Sequence, residues 1–411
     1  MRYVIIGNSA AGIGAVQGIR ELDKESEITI ISDEKYHTYS RPLISYMLKG
    51  DVSQENIKYR PEGFYKENNV KKILGKKAVS VDKNRKAVVL EDGNAVQYDK
   101  LLIATGSKPF IPEFKGLEKV RNKFTFMKLD DVKAIERSVT ENSRVLVVGA
   151  GLIGLKAAEA LLHYTKNITV IDLSERILPS ILDDDASGIM QKHIEDEGVK
   201  FILGASAEEF SDNSAVLTNG DTVDFDILIL AVGVRPNTEL IEHAGGKVDK
   251  GIVTDEKQAV VNLVDIYAAG DCTCSRDITS DSEKIIAILP NAFMQGYVAG
   301  KNMAGSNAVY ENAFPMNAIG FMGLHIISAG TYSGEVYSEI EGENYKKLFT
   351  DNNRLKGFIL MGEKTANAGI YTSLIRERIP LDTIDFELLK ENPSMMAFSA
   401  KYRKEKLGGV V

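Results

Sequence analysis

The feature that most constrains this chain is a Gly-rich fingerprint that occurs twice, 142 residues apart, as GNSAAG from Gly7 to Gly12 and GAGLIG from Gly149 to Gly154. Each copy follows a β-branched run, Tyr3-Val4-Ile5-Ile6 in the first and Arg144-Val145-Leu146-Val147-Val148 in the second, and each opens a stretch with helical periodicity. In that setting the first glycine makes a tight turn, the second lets backbone approach a pyrophosphate, and the third lets the helix pack on the strand. The pyrophosphate then rests on the helix N-terminus, where unpaired N–H groups and the helix dipole favour negative charge. Gly7, Ser9, Ala10, Ala11 and Gly12 form one such cradle, and Gly149, Gly151, Leu152, Ile153 and Gly154 the other. Ser9 replaces the middle glycine of the first copy with a small residue that also offers a hydroxyl. Two fingerprints imply two bound dinucleotides.

A second strand ending in an acid is expected roughly 20 residues later, because a carboxylate there accepts hydrogen bonds from ribose hydroxyls. Both copies comply: Ile28-Thr29-Ile30-Ile31-Ser32 runs into Asp33-Glu34, and Ile168-Thr169-Val170-Ile171 into Asp172. Leu173, Ser174 and Glu175 follow Asp172 with no cation before Arg176, which favours NADH over NADPH at this second site.

A further repeat supports the duplication. Tyr98-Asp99-Lys100-Leu101-Leu102-Ile103-Ala104 ends in Thr105-Gly106, and Phe225-Asp226-Ile227-Leu228-Ile229-Leu230-Ala231-Val232 ends in Gly233. Short apolar runs closed by glycine read as buried parallel strands whose turns pass close to a cofactor. Pro109 and Pro112 mark one crossover and Arg235-Pro236-Asn237 the other. The expected architecture is α/β, two tandem doubly wound (Rossmann-like) domains with a smaller C-terminal α+β domain. Residues 1–108 and 237–311 form the first, discontinuous domain, 109–236 the second and 312–411 the third. Val264 to Asp271 reads as a short strand delivering an aspartate at a glycine turn, and Asn291 as the N-cap of a following helix.

Composition removes other classes. With 50 Lys+Arg against 58 Asp+Glu the net charge is −8, so no nucleic-acid footprint is expected. The chain enters its first strand within three residues and has no uninterrupted apolar run of roughly 18 residues, so neither a secretory signal nor a membrane span is expected and the cytoplasm is the default. Cys272 and Cys274 are the only cysteines and the five histidines form no spaced pair, so neither a disulfide scaffold nor a metal site is expected. Cys272, next to Asp271, is read as a small buried thiol.

Taken in order, GNSAAG, ATGSKP, GAGLIG, AVGVRPN, YAAGD and PNAFMQG resemble the FAD-dependent pyridine nucleotide oxidoreductases over essentially the whole chain. YSRPLISYMLKG, FPMNAIGFMGLHIISAG and NAGIYTSLIRE are similar to NADH:rubredoxin reductases and to the flavoprotein part of NAD(P)H nitrite reductases. The resemblance makes the first domain FAD-binding and the second NAD-binding. It implies that Gly7 to Gly12 hold the FAD pyrophosphate, Asp33 or Glu34 the adenosine ribose, and Ala78-Val79 the adenine through main chain. Arg41 and Pro42 lie along the flavin, Thr105 and Gly106 at the cofactor turn, and Asp271 at the ribityl or phosphate portion. The helix starting at Asn291 points its positive end at the flavin pyrimidine edge, where reduction leaves anionic charge. On the NADH side the implied residues are Gly149 to Gly154, Asp172 and Gly233.

Three departures shape the functional expectation. Disulfide-type relatives carry a redox cysteine in the helix near Arg41 to Tyr46, and this chain has none. Tyr46 stands where oxygenase-type ferredoxin reductases often have lysine. Lys156 replaces the glutamate that commonly follows the second fingerprint, and is read as a helix-surface pair with Glu159. The expectation is therefore hydride transfer from NADH to FAD without side-chain acid–base catalysis, then single electrons to a small carrier protein of the rubredoxin or ferredoxin type. Lys401, Arg403, Lys404 and Lys406 are either a docking patch for an acidic carrier or a solvated tail. A peroxide-forming NADH oxidase, the flavoprotein component of a nitrite reductase, and a non-catalytic dinucleotide-sensing subunit are the alternatives. A monomer or homodimer is compatible with all of them.

Overall fold

The computed structural model describes residues 1–407. Its frame is a pair of five-stranded, all-parallel sheets with the same internal order. In the first, Arg2–Ile6 lies between Glu27–Ser32 and Lys100–Ile103, with Val70–Leu74 and Ile266–Ala268 at the edges. In the second, Val145–Val148 lies between Ile168–Asp172 and Ile227–Leu230, with Lys200–Leu203 and Lys123–Phe124 outside. Both fingerprint strands are central and covered on both faces, which is why they read as unbroken apolar runs rather than alternating ones. Each sheet carries a three-stranded antiparallel meander, Ala78–Asp82 with Ala87–Leu90 and Ala95–Gln97, and Ala207–Phe210 with Ser214–Leu217 and Thr222–Asp224. The two crossovers pair with one another as a short antiparallel ladder, Ser107–Pro109 against Val234–Pro236.

The helix of the first fingerprint, Ala10–Leu22, packs along a helix far away in sequence, Leu289–Met303. Their backbones touch. A Cβ on Gly296 would lie 1.9 Å from the Ala11 carbonyl oxygen, and one on Gly14 would lie 2.3 Å from that of Phe293. Glycine on both partners is what permits this spacing, and it fixes where the second helix begins. That beginning differs from the sequence expectation: the helix starts at Leu289 with Ile288 as N-cap, and Asn291 sits inside the first turn rather than capping it. Proline at position 290 accounts for the shift, since its fixed φ and missing N–H suit the first turn of a helix.

The C-terminal part is an antiparallel sheet in the order Met316–Phe321, Leu324–Gly330, Arg354–Met361, Asn344–Asp351, Glu335–Glu341, with the helix Ala368–Arg376 on one face. Its other face joins the core of the second parallel sheet, where Phe321, Ile326, Tyr345 and Phe349 share one apolar cluster with Val145, Leu155 and Ile194. Polar bonds fasten the same seam. The Tyr345 hydroxyl and Lys347 Nζ both donate to Asp183 Oδ2, at 2.7 and 2.6 Å, and the Tyr332 hydroxyl donates to the Ile181 carbonyl at 2.7 Å. Among the described residues, no helix is long and apolar enough to cross a membrane.

Close packing of the two glycine-bearing helices predicts a contrast. Gly296→Ala is expected to destabilise the protein by about 2 kcal/mol through overpacking. Gly188→Ala, in an exposed helical position with no atom within 4 Å of the new methyl, is expected to stabilise by about 0.5–1 kcal/mol. Chemical denaturation of the two variants beside the parent checks both signs.

Candidate functional site

Three helices begin on one cavity of about 1770 Å³. They are Ala10–Leu22, Leu152–Leu161 and Leu289–Met303, and at none of their N-termini does the N-cap side chain make a hydrogen bond. Two other helices are capped by side chains, Asp183 and Asp385 each accepting from a backbone N–H group. Uncapped first-turn N–H groups facing a shared space form a site for anionic groups. The volume exceeds the roughly 300–1,000 Å³ typical of a single small-molecule pocket.

Most of the FAD-side residues singled out from sequence meet at this cavity: Gly7, Ser9, Ala10, Ala11, Asp33, Glu34, Arg41, Pro42, Ala78, Val79, Thr105, Gly106, Asp271 and Asn291 all border it. Gly12 does not, and its role is packing: a Cβ there would sit 2.1 Å from the Gly7 carbonyl oxygen. Gly7 itself has φ +127° and lies against Ala104, the strand end that carries the next loop. On the NADH side only Leu152 and Ile153 border the cavity, while Gly149, Gly151, Gly154, Asp172 and Gly233 lie beyond its wall. A methyl group placed on Gly151 would meet nothing within 4 Å, so its loop faces open space.

The acids at the strand ends are held differently. Glu34 is buried and spends both oxygens, accepting from Arg41 Nη2 at 2.5 Å and from the Tyr39 hydroxyl at 2.6 Å. Asp33 is exposed, with Lys128 Nζ on its Oδ2 at 2.7 Å. Asp172 accepts from Ala150 N and Ser174 N, both at 2.7 Å, and so ties the second fingerprint loop to the strand end. Arg176, the nearest following cation, is paired with Asp184 at 2.6 Å. Asp271 is the contrast: among the described residues its carboxylate makes no side-chain hydrogen bond, and burial pushes its pKa above the usual carboxylate value, against the pull of Arg41. A desolvated acceptor without a protein donor is a ready partner for ligand hydroxyls.

A buried polar chain orients the third helix. Gln295 Oε1 accepts from Gly270 N at 2.9 Å, its Nε2 donates to Ser275 Oγ and Thr273 Oγ1, and Asn291 Nδ2 donates to the Ile286 carbonyl at 2.9 Å. The Tyr310 hydroxyl closes the chain by donating to Asn291 Oδ1 at 3.0 Å. Sequence reasoning does not find Gln295 and Tyr310; the only trace is Gln295 one turn after Asn291 in the apolar first half of the helix.

Lys156 is not a surface residue. Its side chain is only 12% exposed and borders the cavity, and besides Glu159 it donates to the Gly320 carbonyl at 2.6 Å. The surface-pair expectation fails because Gly320 lies 164 residues away and brings a roof over that helix face. Cys272 is fully buried with its thiol on the Ala269 and Ile103 carbonyls, as its small-thiol reading requires. Among the described residues no cluster of metal-ligating side chains occurs.

Burial pushes the Cys272 thiol up to about 11 and Cys274 upward as well. At pH 8 the thiolate fraction of Cys272 is then roughly one in a thousand. A disulfide-exchange reagent is expected to titrate at most one thiol in the folded protein at pH 8 and both after unfolding in guanidinium.

Residues 1–296 match the pyridine nucleotide-disulphide oxidoreductase family and residues 315–379 the C-terminal domain of rubredoxin NAD+ reductases. The chain is 31% identical to the epsilon subunit of an NADH-dependent phenylglyoxylate dehydrogenase from Aromatoleum evansii, covering 92% of each chain. It is 35% identical to an NADH oxidase from Methanocaldococcus jannaschii over 75% of this chain and 71% of that one. A solved NAD-dependent persulfide reductase from A. fulgidus superposes with a TM-score of 0.87 at 26% identity, covering 94% of this chain and 79% of that one.

Proposed function

We propose that this chain, which belongs to the pyridine nucleotide-disulphide oxidoreductase family, is an NADH:carrier oxidoreductase that passes single electrons to a small iron–sulfur protein of the rubredoxin or ferredoxin type. It is an FAD- and NAD(P)H-dependent flavoprotein oxidoreductase. The observation that carries the finer reading is the convergence of three uncapped helix N-termini on one cavity, in a chain whose C-terminal sheet matches the rubredoxin NAD+ reductase domain.

When bound, FAD supplies two-electron acceptance from NADH and one-electron release. The protein's part is binding, orientation and electrostatics. In this reading residues 1–108 and 237–311 hold FAD: Ser9, Ala10 and Ala11 present backbone N–H groups to its diphosphate, Asp33 or Glu34 faces its adenosine ribose, and Ala78-Val79 its adenine. Asp271 accepts from ribityl hydroxyls, and the start of the helix Leu289–Met303, braced by Gln295 and Tyr310, places positive potential where reduction leaves negative charge. Residues 109–236 hold NADH, with Gly149 to Gly154 at the diphosphate and Asp172 at the ribose. The Arg176–Asp184 pair withholds a cation from any 2′-phosphate, in keeping with NADH over NADPH. Residues 312–407 roof the nicotinamide end and offer the carrier a surface. Lys406 is already paired with Glu377 and Arg403 donates to the Met396 carbonyl, so the basic C-terminal helix contributes less free charge than its composition suggests.

No cysteine stands in the helix Leu43–Lys49 that borders the cavity, so no thiol relay is available there. A second reading follows from the relative matched over 92% of both chains, which is a subunit: this chain would exchange electrons with a partner subunit instead of a diffusing carrier.

Anaerobic stopped-flow mixing with NADH, then with rubredoxin, a ferredoxin or air, tests this. Fast bleaching of the flavin followed by rapid reoxidation by one carrier is the expected result. A response to oxygen alone would make the protein an oxidase, and failure to bleach would exclude catalysis from NADH altogether.

A further inference from the structure

We propose that the Lys156 ammonium determines redox-state specificity at the nicotinamide end of the cavity, favouring the neutral ring of NADH over the cationic ring of NAD+. This rests on the NADH site proposed above.

The argument begins with the helix of the second fingerprint. Leu152, Ile153 and Lys156 all border the cavity, and their spacing places them on one face of Leu152–Leu161, one turn in from the uncapped N-terminus. Opposite them stand Pro42, Ser45 and Tyr46, and the strand Met316–Phe321 supplies Ala318 and Ile319. Lys156 therefore lies where the second dinucleotide, anchored by its diphosphate at Gly149 to Gly154, must reach toward the first.

The ammonium is held there. Nζ donates to Glu159 Oε2 and to the Gly320 carbonyl, each at 2.6 Å, and lies 4.9 Å from the centre of the Tyr46 ring and 5.2 Å from that of Phe321. Two acceptors use two of its three N–H donors. Glu159 spends its other oxygen on Met322 N at 2.9 Å and does not border the cavity. The pair is neutral as a whole but oriented, with its positive end toward the space the ring must enter. Of the other carboxylates bordering the cavity, Glu34 is committed to Arg41, Asp33 to Lys128, Glu239 to Lys108, and Asp131 to the Met127 and Lys128 N–H groups and the Thr125 hydroxyl, while Asp271 and Glu311 also border it and stay constant in every variant compared below.

A fixed cation in a site shielded from water disfavours a cationic ring and is indifferent to a neutral one. NADH entry is then favoured, and NAD+ is expelled after hydride transfer. Burial is what gives the charge its leverage; an exposed lysine would be screened within a Debye length.

The test is binding, not turnover. FAD-loaded protein is titrated calorimetrically with three probes: NAD+, the 1,4,5,6-tetrahydro analogue of NADH, whose ring is neutral and cannot donate hydride, and ADP-ribose, which has no ring. In Lys156→Met and Lys156→Gln the ratio of the NAD+ dissociation constant to that of the tetrahydro analogue is expected to fall about five- to tenfold. Lys156→Arg should keep the parental ratio, and ADP-ribose should bind all variants equally, which certifies that the site is folded. The double variant Lys156→Gln/Glu159→Gln guards against an unpaired Glu159 and should show the same fall. An unchanged ratio in the neutral variants, with ADP-ribose still bound, overturns the proposal. Failure of ADP-ribose to bind the parent protein overturns the NADH site itself, and this inference with it.

Discussion

Backbone-to-backbone contact between two helices separated by more than 260 residues is the constraint on which the site depends. The helix of the first fingerprint and the helix Leu289–Met303 approach until the carbonyls of Ala11 and Phe293 occupy the places where Cβ atoms of Gly296 and Gly14 would be. Nothing larger than glycine fits, and nothing looser would bring both N-termini to one space. With that distance set, the unpaired N–H groups of two helix ends converge, and the parallel second sheet contributes a third. The electrostatic character of the cavity is thus a by-product of steric packing: the positive ends belong to the backbone and need no basic side chains.

The second organising feature is the seam between the C-terminal sheet and the second parallel sheet. It is apolar at its centre, through Phe321, Ile326, Tyr345 and Phe349, and polar at its margins, through Asp183 and Glu159. The centre supplies the burial that holds the sheet in place, and the margins set its register. Because Met322 N and the Gly320 carbonyl clasp Glu159 and Lys156, the same seam turns an ordinary i,i+3 ion pair into an oriented dipole. A surface pair of that kind is worth little; the roof changes its dielectric surroundings and gives it a direction.

Legibility followed the range of the interactions. The duplicated fingerprints, their acids and the Gly-ended strands were readable because each is decided within about 30 residues, by turn geometry and by the apolar periodicity of one βαβ unit. The carboxylate of Asp271 was placed by its neighbouring glycine turn. The cap was misplaced by three residues because a polar side chain before an apolar run looks like a cap, whereas Pro290 lets the helix start earlier and Asn291 turns inward to Ile286 and Tyr310. Lys156 looked like a surface pair because its partner at i+3 is visible in the sequence and Gly320 is not.

What the sequence by itself determined is therefore local: two Gly-rich fingerprints each followed by its acid, the absence of a cysteine in the helix near Arg41 to Tyr46, and an α/β frame used twice. Tertiary structure alone decided that the first fingerprint loop, the Asp271 loop and the starts of three helices open on a common cavity, that Glu34 is tied to Arg41, and that Lys156 borders that cavity beneath the C-terminal sheet. The physical reason is that hydrogen-bonded turns and strand periodicity are specified by adjacent residues. Burial and charge orientation arise only when distant surfaces meet and exclude water between them.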